Sequence, residues 1–153
     1  MTAFDPSTVT RHTEPNTELF KKIYKQIKKA PGSFDMANWE DRHVDPSDTF
    51  WNHFVKEAQP RSCGTTRCVA GWASHFTAPR QSFLKTINLL SQEWNTTVLG
   101  DPSEVGAGLL GLSVRDAEQL FLYTNDERAV RVVKAFAKGK NKKALRILYE
   151  SED

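Results

Sequence analysis

No stretch of this 153-residue chain approaches the roughly 18 consecutive apolar residues a transmembrane helix needs, so none is expected. Cysteine is scarce. Two residues, Cys63 and Cys68, are too few for a disulfide-built scaffold. Strand-type alternation of apolar and polar residues is nearly missing. The first 15 residues are polar and carry Asp5 and Glu14, without the positive start and apolar core of a signal peptide. These absences together point to a cytoplasmic protein. The domain organisation expected is a flexible arm over residues 1–15 and a single helical domain over 16–153.

What is present is helical patterning in almost every segment. Leu19, Phe20, Ile23, Tyr24 and Ile27 form one apolar stripe, with Lys21, Lys22, Lys25 and Lys28 outside it. Pro31-Gly32 ends that helix. Asp45-Pro46 opens another through Phe50, Trp51, Phe54 and Val55. Further stripes run through Val69, Trp72 and Phe76, through Phe83, Ile87, Leu90 and Trp94, and through Val105, Leu109 and Leu110. Ser113 is the expected cap for Val114 to Phe121, and Thr124 with Glu127 the expected capping box for Ala129 to Ala137. Ala144, Leu145, Leu148 and Tyr149 give a last short helix. Between Asn95 and Pro102 a polar loop is expected, with Thr96 to Val98 a candidate extended piece. Helices with one apolar stripe bury it against one another. The fold class predicted is all-α, a compact irregular bundle of six to eight helices.

The formal net charge is only +2, but the charge is segregated. Residues 21–29 hold five lysines and no acid, and residues 128–146 hold eight basic residues and no acid. Between them, residues 35–57 carry six acids against two bases. Solvated helix faces account for such runs. The sharper reading is one basic surface built by the two ends of the chain.

One segment stands out: Cys63-Gly64-Thr65-Thr66-Arg67-Cys68-Val69-Ala70-Gly71-Trp72-Ala73. Taken with the preceding Phe34-Asp35-Met36 and Trp39, and with the run Leu109 to Phe121, it resembles a family of small proteins found in bacteriophages, notably those of actinobacteria, and in some bacteria. The shared pattern spans Phe34 to Phe121. The resemblance implies a phage accessory product acting in the host cytoplasm and brings no activity with it. The first 15 residues and the basic last 25 or so lie outside the pattern.

Four readings of the cysteine loop compete. Cys68 in the first turn of a helix favours a thiolate, and His43, His53 or His75 are candidate bases. Cys63 and Cys68 with two histidines are candidate zinc ligands, although their spacing is at the edge of the usual range. Gly64, Thr65, Thr66 and Arg67 form a candidate anion or partner-binding loop. The plainest reading makes both cysteines small buried apolar groups, with Thr65 or Thr66 capping the helix, Gly64 making the turn and Gly71 allowing close packing.

The run Gly106 to Phe121 has the spacing of a helix-turn-helix corner. It would present Arg115 and Gln119, with Lys138, Lys140, Lys142 and Lys143 as phosphate contacts. Any tight helical corner shows the same spacing. Among the aromatics, Trp39 and Trp51 beside an acidic rim are candidate partner-binding residues. No nucleophile, base and oxyanion set converges in the sequence. The expectation is therefore a non-enzymatic bacteriophage accessory protein, with no cofactor and no metal, that binds a host or phage protein and modulates its activity. The alternative is a DNA-binding regulator using the 106–121 corner and the basic C-terminal helices.

Overall fold

The computed structural model describes residues 4–30 and 68–150. Among these residues the chain is all-α, with seven α-helices, one short 3₁₀ turn at Pro6–Thr8 and no strand. The helices are α1 (Thr17–Lys29), α2 (Val69–Thr77), α3 (Phe83–Trp94), α4 (Pro102–Leu110), α5 (Val114–Leu122), α6 (Asp126–Ala137) and α7 (Asn141–Leu148).

Their packing follows from where the apolar residues fall. Each of α1, α6 and α7 has one greasy stripe and one charged face. Leu19, Phe20, Ile23 and Ile27 of α1 are buried, as are Ala129, Val132, Val133 and Phe136 of α6, and Ala144, Ile147 and Leu148 of α7. These three helices pack chiefly on one another, α1 on α6 and α6 on α7. The ring of Phe20 stacks on that of Phe136 with centroids 4.5 Å apart. The middle of the chain forms a second group, with α4 contacting α2, α3 and α5. In α4 every residue from Ser103 to Leu110 is buried, because glycine and alanine let neighbours close around it. A Cβ on Gly106 would sit 2.5 Å from the ring of Phe121, so the α4–α5 corner packs at a distance only glycine permits.

Residues 4–15 belong to the segment expected as an arm. That segment is laid along the helices of the second group. The cause is a hydrogen-bonding deficit, since the last carbonyls of a helix have no partner within it. Here the His12 N–H donates to Gly108 O at 2.7 Å and the Asn16 N–H to Leu110 O at 2.8 Å. The Asn16 side-chain amide donates to Leu109 O at 3.0 Å, and its Oδ1 accepts from the Leu19 N–H at 3.3 Å. Asn16 therefore caps the start of α1 and the end of α4 together. Gly111 follows α4 in the left-handed region, φ 73°, where a Cβ would overlap the Glu14 carbonyl oxygen. Phe4 and Val9 pack on the core, and the Arg11 guanidinium lies over the Trp94 ring.

Other local expectations shift by small amounts. Asn125, not Thr124, caps α6, accepting from the Arg128 N–H at 2.8 Å. The Thr124 hydroxyl is already committed to Gln119 O at 2.7 Å. Ser113 caps α5 as expected, accepting from the Asp116 N–H at 3.0 Å. Thr96 to Val98 is no strand. The Thr97 and Val98 N–H groups donate to the two carboxylate oxygens of Glu104, each at 2.9 Å, and Glu104 is almost fully buried.

Candidate polyanion-binding face

The basic runs at positions 21–29 and 131–143 are more than a hundred residues apart in sequence, yet the fold sets them side by side. The apolar stripes of α1 and α6 face each other, so their charged faces emerge on either side of the seam. A groove of about 470 Å³ is lined by Lys21, Tyr24, Lys25, Lys28, Lys29, Ala137 and Lys138. A second, of about 250 Å³, is lined by Arg131, Lys134, Ala135, Lys138, Lys140, Lys143 and Ile147. Lys138 belongs to both and joins them. The basic side chains are all exposed.

Two of these cations have a carboxylate partner among the described residues. Lys21 meets Glu18 at 3.4 Å and Arg131 meets Glu150 at 2.9 Å. Lys28 sets its ammonium 5.5 Å from the centre of the Tyr24 ring. Part of the pattern has a structural cause, because lysines in the last turns of α1 and α6 sit at the negative ends of those helix dipoles. That cause does not extend to Lys21 and Lys25 on α1 or to Lys140 and Lys143 at the start of α7. There a basic residue opposes the positive end of the helix, so its placement has a small unfavourable contribution.

Among the described residues no large exposed apolar side chain lines the grooves. Val98, Leu99, Val114, Leu122, Tyr123 and Tyr149, the exposed large apolar side chains among the described residues, all lie off the two grooves.

Of the site residues expected from sequence, Lys138, Lys140 and Lys143 line the grooves, whereas Lys142 is exposed but outside them. Arg115 and Gln119 lie on α5, off the grooves. The Arg115 guanidinium lies over the Tyr149 ring at 5.8 Å, and the Tyr149 hydroxyl donates to Asp116. Gln119 is half-buried, and its backbone carbonyl receives the Thr124 hydroxyl. Gly64, Thr65, Thr66, Arg67, Trp39 and Trp51 lie outside the described residues, as do Cys63, His43 and His53. Cys68 is buried, 1% exposed, at the N-cap of α2. His75 makes edge contacts with the rings of Trp72 and Phe76. Among the described residues no three His, Cys, Asp or Glu side chains gather as metal ligands do, and no helix is long and apolar enough to cross a membrane.

Sequence reasoning singled out the C-terminal lysines and missed the groove lysines of α1 as site residues. The available signal was the acid-free run at 21–29, which mirrors the one at 128–146. Comparison with protein-family models, curated proteins and solved structures finds no match.

Proposed function

We propose that this chain is a non-enzymatic binding protein that docks a negatively charged macromolecule on the face formed by α1, α6 and α7. One observation carries the reading. Lysines from the two ends of the chain converge on two adjoining grooves with few carboxylates among them. Like charges gathered on one face repel one another, and a stretch of positive potential concentrates anionic partners and speeds their capture. In the phage-type accessory role implied by the resemblance, such a protein acts by occupying its partner.

The test is retention on an immobilised polyanion such as heparin. The wild type elutes at higher salt than its small net charge alone would give. The pair Lys25→Glu with Lys138→Glu moves elution sharply to lower salt. Charge reversal at Arg80 and Lys85, just before and on α3 and off both grooves, moves it little. Equal shifts for both pairs would mean that retention follows bulk charge, and would overturn the reading.

A second reading keeps a host or phage protein as the partner, bound through the outer end of α5. Leu122 and Tyr123 are 53% and 68% exposed there, the kind of apolar and aromatic surface from which interface anchors are drawn.

A further inference from the structure

Resting on that reading of the face, we infer that its partner is a nucleic-acid duplex, held by its phosphate backbone without regard to base sequence. Three observations select this among anionic macromolecules.

The first concerns what the face lacks for a protein partner. Protein interfaces are centred on aromatic and apolar anchors and are depleted in lysine. Here lysine dominates, and every large exposed apolar residue among those described lies elsewhere. Lysine meets phosphate as a point charge and needs no shape-matched pocket to do so.

The second separates duplex from single strand. Single-strand binders stack bases on exposed aromatic rings. Among the described residues the one aromatic lining these grooves is Tyr24, which is half-buried with the Lys28 ammonium over its ring. The described residues present no stacking platform to an unpaired base there.

The third concerns sequence. Base edges are read by bidentate Arg, Asn or Gln side chains carried into a groove. Among the described residues the only such side chain lining the two grooves is Arg131, and it is paired with Glu150. Lys21, Lys25 and Lys28 form a row about 10 Å long on α1, from the helix rise. The row from Arg131 to Lys138 is of similar length. Two such rows on packed helices, about 8–10 Å apart at their axes, face several phosphates at once.

The experiment is fluorescence anisotropy of the full chain with labelled 20-base-pair probes. The probes are two duplex DNAs of unrelated sequence, one duplex RNA, one single strand, and polyglutamate. Both duplex DNAs are expected to bind within about threefold of each other and at least tenfold more tightly than the single strand or polyglutamate. The slope of log affinity against log salt should be about −4 or steeper, and Lys25→Ala or Lys138→Ala should each reduce it by about 0.9. Comparison of the DNA and RNA arms assigns the duplex type. Polyglutamate or single strand binding as well as duplex, with the same loss in Lys138→Ala, would overturn the duplex inference and leave the basic docking face standing. Strong preference for one of the two DNAs would overturn the sequence-blind claim. No binding by any probe at low salt would remove both the inference and the reading beneath it.

Discussion

At the scale of single residues, the N-terminal segment is held by a few polar atoms. Asn16 supplies both an acceptor to α1 and a donor to α4. Replacing it by alanine removes a cap and leaves the Leu109 carbonyl without that donor, and should cost about 1–3 kcal/mol in urea unfolding. Asn16→Asp keeps the α1 acceptor but turns the donor into a carboxylate facing a carbonyl, so it should recover only part of the loss. A variant as stable as wild type would mean that the segment does not depend on this residue. Gly111→Ala should be worse than the left-handed backbone alone implies, about 1–2 kcal/mol, because the new Cβ must also displace the Glu14 carbonyl. Tyr149 gives a pH signature. Partial burial, and then its hydrogen bond to Asp116, hold its pKa above the ordinary tyrosine value near 10. The neutral phenol is the form the fold favours. The stabilisation it brings is therefore complete below pH 10 and is lost as pH rises through the raised value. An ultraviolet titration of the three tyrosines should show one late component that is absent in Tyr149→Phe.

At the scale of elements, apolar periodicity located α1, α6 and α7 well because each has one buried stripe. Leu19, Phe20, Ile23 and Ile27 mark α1 as plainly in the sequence as in the structure. Caps were legible to within a residue: Ser113 was found, but Asn125 was passed over for its neighbour Thr124, whose hydroxyl turns back to the preceding helix. The ties of the segment before α1 rest in part on backbone hydrogen bonds to α4, which leave no mark in side-chain patterning. The loop after α3 was illegible for a similar reason. Its two N–H groups are held by Glu104, whose burial a sequence does not reveal. Glu104→Gln exchanges one acceptor for a donor facing an N–H. It should lower stability by about 1–3 kcal/mol, measured by thermal or urea unfolding, with faster amide exchange at Thr97 and Val98. Unchanged exchange there would show that the loop is held by other contacts.

At the scale of the whole molecule, the fold sorts charge. The two ends of the chain form one helical layer and the middle forms another, so the acid-free runs meet. The runs themselves were visible in sequence, but their meeting depends on α1 packing against α6, a contact such as Phe20 on Phe136 that no local pattern encodes. Phe136→Ala should therefore act at both levels, lowering stability by about 3–5 kcal/mol and weakening polyanion binding by loosening the seam between the lysine rows. The direct measurement is NMR mapping of backbone amides while a short duplex is titrated into the full chain. Shifts concentrated at 21–29 and 131–143, with α3 unmoved, are predicted. Shifts centred on Arg115, Gln119 and Leu122 of α5, with the lysine rows silent, would contradict the account.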